Sequence, residues 1–592
     1  MTNDQILLFA LFATVFALLL WGKFRYDLVA FSALMAGVVL GVVPASDAFS
    51  GFGHPATLVV ALVLIVSAGL VRSGAVFLIT RTLIDSSRGL AGHIALMGVI
   101  GGVLSAFMNN VAALALLMPV DIQTARKAGR SPGLSLMPLS FATILGGMVT
   151  LIGTPPNIII AAIREEALGA PFSMFDFAPV GGVTALAGLM FMALVGWRMI
   201  PATGSAAGLS STADFADYVA ELTLPEGAEH IGQPLATLET LATKADVALI
   251  GLVRDGKRLL GPQVKTTLVA GDALVLEAHP EALDEFRASL GLRFSDDARE
   301  AILAKATEGL TLIEVVVTEG SRIAGRTAQG IGLSWRQGTV LMGISRQGRD
   351  IRQQVRKAPI KVGDILLLLA PADRSFEVTK WLGCLPLADR GLAVTRDQST
   401  WLAIGLFGAA VLAASLGLIY LPVALGLVVI AYVLTKILPV AEIYDHIEWP
   451  VVVLLGSMIP LGSALQTSGG TELLAGGMLS LTDGMPAWVI LSVLMVVTMT
   501  LSDVLNNTAT TIVAAPVALQ MAATLGVNPD PFLMTVAVAA SAAFLTPIGH
   551  KNNTLILGPG GYKFGDYWRV GLPLEALIIV VAIPAILVFW PL

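Results

Sequence analysis

The chain has 592 residues, 55% of them hydrophobic and 13% charged, with a mean hydropathy of +0.81; soluble globular chains carry about 25% charged residues, so most of this one is built for a bilayer. The net charge of −6 gives no support to nucleic-acid binding, and the single cysteine, Cys384, excludes an intramolecular disulfide and a cysteine-rich metal site. Of the 36 basic and 42 acidic residues, 21 and 24 lie between positions 199 and 395, so two apolar thirds flank one soluble third.

Met1-Thr-Asn-Asp lacks the basic start of a signal peptide, so the first apolar run is expected to remain as a span. A spanning helix needs about 20 mostly apolar residues. In the first third, spans are expected at 5–21, 28–43, 56–71, 134–163 (broken) and 178–198. In the last third they are expected at 400–418, 421–438, 449–465, 531–549 (broken) and 571–591. Two further apolar stretches, 93–122 and 486–522, are interrupted midway by paired asparagines.

Basic residues mark cytoplasmic loops. Lys23 and Arg25 follow the first span; Arg72, Arg81 and Arg88 precede the 93–122 stretch; Arg126, Lys127 and Arg130 follow it. Both its ends therefore face the cytoplasm, which predicts a re-entrant hairpin. The 486–522 stretch has no basic residue near either end, so both of its ends face outside. The parity then closes, with Arg198, Arg396, Lys436, Lys551, Lys563 and Arg569 inside and the insert cytoplasmic. Asp121 is expected to be solvated at the cytoplasmic end of its hairpin, and His54 and His550 to be interfacial.

At an offset of 397, Ser105, Asn109, Asn110, Ala112 and Pro119 fall on Ser502, Asn506, Asn507, Ala509 and Pro516. Inverted repeats with discontinuous helices characterise secondary transporters, whose sites form near the midplane. Gly146-Gly147 and Gly153-Thr154-Pro155-Pro156-Asn157 interrupt one apolar run; Thr546-Pro547-Ile548-Gly549 with Asn552-Asn553 interrupts the other. Proline removes a backbone donor and clashes with the preceding turn. The carbonyls so freed need partners, because lipid offers none. Such oxygens suit a sodium ion, while amide N–H groups, hydroxyls and helix N-termini suit a dianion. The competing reading is that the asparagines cap half-helices or bond between helices as structural glue. Asp503, an ionisable group inside a hairpin, reads either as a cation or proton ligand or as a solvated carboxyl at the cavity mouth.

These residues resemble the divalent anion–sodium symporter family, carriers of dicarboxylates, citrate and sulfate, across both membrane thirds. The family's Ser-Asn-Thr tip signature matches Asn109-Asn110-Val111 and Asn506-Asn507-Thr508. The central asparagine is kept in both, serine is replaced by asparagine in both, and threonine by Val111 in the first. The resemblance implies anion contacts from these six residues with Pro156 and Asn157. It also implies sodium sites from Ser105, Asn110, Gly153 and Thr154, and from Ser502, Asp503, Asn507, Thr546 and Pro547. Sodium is then the coupling ion, with no other cofactor; the carrier is a homodimer in the plasma membrane that works by an elevator motion. Val111 cannot offer a hydroxyl, which leaves sulfate or another oxyanion open beside dicarboxylates.

The insert repeats at an offset of 92: Arg254-Asp-Gly256 falls on Arg346-Gln-Gly348, and Gly271-Asp272 on Gly363-Asp364. It resembles tandem TrkA-C (RCK-C) domains, small modules that bind small ligands and regulate in potassium transport systems; here they read either as ligand sensors that gate transport or as dimerisation ballast. The expected fold is therefore a polytopic α-helical membrane protein of two inverted repeats, with 1–204 and 396–592 as membrane repeats and 205–298 and 299–395 as TrkA-C-like domains. The expected function is sodium-coupled symport of a divalent anion. A cation- or proton-coupled exchanger and an RCK-gated channel are the alternatives. No Walker A motif and no nucleophile–histidine–acid set point to an enzyme.

Overall fold

The computed structural model describes the chain apart from residues 22–23, 76–88, 202–218, 246, 255–256, 260–266, 278–279, 295–309, 319, 334–336, 347–348, 352–354, 356, 372–373, 388–396 and 483. Lys23, Arg81, Arg88, Arg396, residues 255–256 and 347–348 of the repeated motif and the expected boundaries at 204/205, 298/299 and 395/396 lie outside the described residues. The chain divides into two compact units, one of residues 1–202, 391–556 and 563–592, the other of residues 203–390 and 557–562.

The first unit begins with helices α1 (Asn3–Trp21), α2 (Tyr26–Val39) and α3 (Pro55–Arg72). Helix α3 starts where Pro55, which has no N–H to lose, occupies the first turn and His54 Nδ1 accepts from the Ala56 N–H. Helices α4 (Leu90–Phe107) and α5 (Asn110–Lys127) follow, then α6 (Gly133–Gly147) and α7 (Pro155–Leu168), and α8 (Ala178–Phe191) with a π turn at Met192–Gly196.

The second unit holds two five-stranded antiparallel sheets. The first contains β1 (Val219–Thr223), β2 (Ala248–Arg254), β3 (Lys257–Leu259), β4 (Ala273–Glu277) and β5 (Arg293–Phe294), in the order β3-β2-β4-β1-β5. Helices α9 (Leu235–Lys244) and α10 (Pro280–Leu290) accompany it. The second contains β6 (Leu310–Val316), β7 (Val340–Arg346), β8 (Arg349–Ile351), β9 (Ile365–Pro371) and β10 (Leu385–Pro386), with α11 (Ser375–Leu382). Its order, β8-β7-β9-β6-β10, is the same path. The same clasp closes both sheets. Arg254 grips both oxygens of Asp272 and the Thr267 carbonyl; Arg346 grips both oxygens of Asp364 and the Pro359 carbonyl. Each aspartate also accepts a backbone N–H three residues upstream, from Val269 or Lys361. Cys384 packs inside the second sheet's core beside Val378 and Leu382.

The first unit resumes with α12 (Asp397–Ser415), α13 (Leu421–Leu434), α14 (Trp449–Thr467) and α15 (Gly470–Leu481). Helix α15 has no counterpart among the expected spans: it is only 12 residues long and five of its residues are glycine, serine or threonine, so it gives no 20-residue apolar run. Next come α16 (Ala487–Val504), α17 (Asn507–Leu525), α18 (Asp530–Ser541), α19 (Lys551–Leu557) and α20 (Tyr567–Phe589). Among the described residues, seven helices are long and apolar enough to cross a membrane, including α4, α16 and α17. The chain is a multi-pass membrane protein.

Each expected interruption is present. Met108 and Asn109 separate α4 from α5, and Leu505 and Asn506 separate α16 from α17. Residues 148–154 separate α6 from α7, and residues 542–550 separate α18 from α19. Helices α6 and α18 are buried along nearly their whole length, and the breaks that follow them are mostly buried, with Ile548 exposed.

Candidate functional site

At each hairpin tip the backbone is extended for one residue and the next residue caps a new helix. Asn109 Oδ1 accepts from the Val111 N–H at 2.8 Å, and Asn506 Oδ1 from the Ala509 N–H at 2.8 Å. The first asparagine of each pair thus has its oxygen committed to its own helix. The second begins the helix. Asn110 is buried, with Ser105 Oγ 2.7 Å from Oδ1; Asn507 is half-buried and receives the Thr508 hydroxyl at 3.3 Å. Val111 is half-buried beside Asn110, and Thr508 is buried beside Asn507.

Each break is then pinned to the tip of its own half by a threonine. Thr150 Oγ1 donates to the Ala106 carbonyl, and Thr546 Oγ1 to the Asp503 carbonyl. An asparagine holds each break open: Asn157 Nδ2 donates to the Met148 and Thr150 carbonyls, and Asn553 Nδ2 to those of Ala543 and Thr546. These amides satisfy carbonyls that the prolines and the turn leave free. A glycine of the last helix of each half closes on the same place. A Cβ at Gly181 would strike the Met148 carbonyl, and one at Gly571 the Phe544 carbonyl, so only glycine permits the approach. The matched residues are 396 apart in the breaks and 397 apart at the tips.

This geometry revises the roles expected from sequence. Thr546 stands opposite Thr150, not Thr154, and Asn553 does in the second half what Asn157 does in the first. Thr150, Asn553, Ser140, Thr143, His550 and Glu575 were not among the expected site residues. One residue fewer between tip and break in the second half hid the match, because a single offset of 397 misaligns the breaks. Pro156 is buried in the first turn of α7, and the Pro547 carbonyl is taken by the Thr554 hydroxyl at 2.5 Å.

The first expected sodium set converges. A Cβ at Gly147 would meet the Asn110 amide, and one at Gly153 would meet the Gly147 carbonyl, so Asn110, Ser105, Gly147 and Gly153 share one small space. Thr154 Oγ1 is buried with no hydrogen-bond partner among the described residues. The second set is less compact. Ser502 Oγ donates to the Ala540 carbonyl at 2.5 Å, and none of the described hydrogen bonds joins Asn507 to Thr546 or Pro547. Asp503 is buried rather than solvated at a cavity mouth: its Oδ1 accepts from the Leu545 N–H at 2.9 Å. Glu575 of α20 accepts from the neighbouring Phe544 N–H at 3.2 Å, so the two carboxylates take adjacent backbone amides. In the first half the matching amides, of Met148 and Val149, bond the Leu145 and Gly146 carbonyls instead.

The halves also interlock. Asn552 Nδ2 donates to the Asn110 carbonyl at 3.1 Å and to Thr143 Oγ1 at 2.8 Å, and Ser140 Oγ donates to Asn553 Oδ1 at 3.0 Å. Phe141 meets Phe544 with ring centroids 4.8 Å apart. At the far end of α7, Arg164 holds both oxygens of Asp530 at 2.7 and 3.0 Å and lies over the Phe172 ring. His550 is buried against Asn110, not interfacial. Asp121 is fully buried, not solvated, because α6 covers its end of the hairpin; its oxygens meet His93 Nε2 and Ser135 Oγ, each at 2.6 Å. His54 is half-buried and also meets Glu166.

Comparison with known proteins identifies the family of the chain. The citrate transporter family matches residues 16–531, and again 487–592. An uncharacterised transporter of Synechocystis sp. is 32% identical over 96% of this chain and 94% of its own length. The uncharacterised transporter YfbS of Escherichia coli is 28% identical over the full length of both. Sodium/sulfate cotransporter 2 of Chlamydomonas reinhardtii is 25% identical over 55% of this chain and 38% of its own length. The chain is a transporter, not an enzyme, and belongs to the citrate transporter family.

Proposed function

We propose that the chain is a sodium-coupled symporter of a small divalent anion, with sulfate the favoured substrate. The observation that carries this reading is the first tip and break, where Asn110, Ser105, Gly147 and Gly153 meet beside the unpartnered hydroxyl of Thr154. That collection of side-chain and backbone oxygens suits a hard cation without full charge neutralisation. Val111, where the resemblance places a hydroxyl, favours an oxyanion over a dicarboxylate. A relative whose name specifies sodium/sulfate cotransport supports both points.

In this reading the two membrane thirds are inverted repeats whose tips and breaks form the two halves of one site. The matched Thr150–Ala106 and Thr546–Asp503 contacts support that equivalence. The carrier works as a homodimer in the plasma membrane by moving the tips and breaks as one body, an elevator. The paired sheets of the insert act as cytoplasmic TrkA-C-type sensors that bias this motion; their shared strand order and Arg–Asp clasp support a duplicated module.

A thermal-shift screen of purified protein against sulfate, C4-dicarboxylates and citrate, each with and without sodium, tests the proposal. Stabilisation by sulfate that requires sodium is expected. Sodium-independent stabilisation by any of the anions counts against coupling.

A further inference from the structure

Asp503 and Glu575 reach the second break from different helices and take consecutive backbone amides, Leu545 N–H at 2.9 Å and Phe544 N–H at 3.2 Å. Consecutive Cα atoms stand about 3.8 Å apart, so the two carboxyls are neighbours. Both are buried, at 2% and 6% exposure, and Asp503 Oδ2 has no hydrogen-bond partner among the described residues. The first half shows that the fold closes without such a pair. The Thr150–Ala106 and Thr546–Asp503 bonds set Ala106 against Asp503, and the matched Gly181 and Gly571 set Ala185 against Glu575. There the Met148 and Val149 amides bond the Leu145 and Gly146 carbonyls. Two alanines serve that break, so the two acids add chemistry rather than closure.

Two anions side by side away from water repel, and burying them without a counter-charge is costly. No basic side chain bonds either one among the described residues. Helices α8 and α17 carry no charged residue, and α18 carries Asp530, which Arg164 holds. Arg198 and Arg569 are exposed, Asp566 accepts from the Lys563 N–H, and the His550 ring meets Asn110 and the Asn552 N–H. A hard metal ion takes about six oxygens, but the oxygens here are committed. The Asp503 carbonyl receives Thr546, the Ala540 carbonyl receives Ser502, and the Ala543 and Thr546 carbonyls receive Asn553. The space is closed as well: a Cβ at Gly549 would strike the Asp503 backbone, and one at Gly571 the Phe544 carbonyl. A proton needs one oxygen and no room. On Asp503 Oδ2 it turns an unmet acceptor into a donor, with the Glu575 carboxylate to receive it.

We infer that Asp503 and Glu575 form a proton-binding site, one proton for two carboxyls, that ties the last helix to the second tip. The proton comes from water and returns to it. Loaded, the pair holds α16 and α20 on the break between them. Empty, two anions push apart three residues from Asn506, so uptake needs the loaded form. This goes beyond sodium coupling and stands without it, since none of these contacts involves the first tip.

Infrared spectroscopy of the purified protein at neutral pH, with and without sodium, reads the site without transport. The wild type is expected to show the C=O band of a protonated carboxyl, shifted in heavy water, in both media. Asp503→Asn and Glu575→Gln are each expected to abolish it. Each amide keeps the acceptor for its backbone N–H and gives the remaining carboxylate a neutral donor, so no proton is needed. No band in the wild type, or a band that either variant leaves intact, overturns the inference. A band seen only without sodium means that the pair takes sodium instead, which also overturns it. Should an amide variant fail to fold, Asp503→Ala with Glu575→Ala copies the first half and is expected to fold without the band. In proteoliposomes, uptake of labelled sulfate is expected to fall as pH rises above neutral, by up to about tenfold per unit for one proton, and Glu575→Gln is expected to flatten that slope. An unchanged slope overturns the inference. If uptake ignores sodium, the symport reading fails, while the infrared band still decides this one.

Discussion

Thr546 donates its hydroxyl hydrogen to the Asp503 backbone carbonyl across 2.6 Å, fastening a broken helix to a hairpin tip. Thr150 fastens the other break to Ala106 in the same way. Each bond joins an unwound segment to the last turn before a paired asparagine, so the tip cannot shift without its break. Thr546→Val keeps the shape and leaves the Asp503 carbonyl without this donor, which costs about 1–3 kcal/mol when the group stays buried. The expected result is a lower unfolding temperature in detergent together with reduced uptake, with Thr546→Ser restoring both. Thr150→Val should behave alike.

Asn110 and Asn507 should respond differently to alanine. Asn110 is buried and linked to Ser105 and His550, so Asn110→Ala should abolish uptake and lower thermal stability by about 1–3 kcal/mol. Asn507 is half-buried, and its side chain meets only the Thr508 hydroxyl among the described bonds. Asn507→Ala should abolish uptake while leaving the unfolding temperature within about 2 °C, since surface-like changes fall within about 0.5 kcal/mol. Normal uptake by both variants would make the tips structural.

Val111→Thr adds a hydroxyl beside Asn110 with almost no change in volume. Competition assays should show succinate displacing labelled sulfate more effectively, by about tenfold if one hydrogen bond is gained. Unchanged selectivity would show that position 111 does not touch the anion.

Much of this arrangement was legible in the sequence for a physical reason. Polar asparagine pairs midway along apolar stretches are costly in lipid, so Asn109-Asn110 and Asn506-Asn507 marked both tips before any coordinates. Prolines marked both breaks. The second half's Asn553 was harder to place, because the breaks stand 396 residues apart while the tips stand 397 apart, and the second break follows alanines rather than Gly-Gly. Asp121 misled because a carboxylate near Arg126 and Lys127 looks solvated. Only the packing of α4 and α6 shows that His93 and Ser135 enclose it. Helix α15 escaped because a 12-residue helix rich in small residues carries no span signal.

The Arg164–Asp530 pair joins α7 to α18 with little access to water, the side chains being 19% and 9% exposed. Asp530→Ala should cost about 3 kcal/mol, because it strands a guanidinium that water barely reaches. A melting curve of the detergent-solubilised protein reads this. Replacing both residues with methionine should recover much of the loss; no recovery would mean that the pair does more than neutralise itself.

Burial pushes the Cys384 thiol from its ordinary value near 9 up to about 12, against the smaller opposing effect of the Ser321 hydroxyl. The thiol is therefore neutral in the folded insert. Its raised value favours the folded state below pH 9, and that contribution is lost as pH rises toward 12. Maleimide labelling at pH 8 should be negligible in the native protein and rapid in urea. Fast native labelling would show that the second sheet's core opens readily.

Sulfate uptake into proteoliposomes under an imposed sodium gradient tests the central claim most directly. The account predicts accumulation of labelled sulfate that collapses when sodium is equal on both sides or replaced by potassium. Uptake indifferent to the sodium gradient, or a continuous single-channel current instead of accumulation, would contradict it.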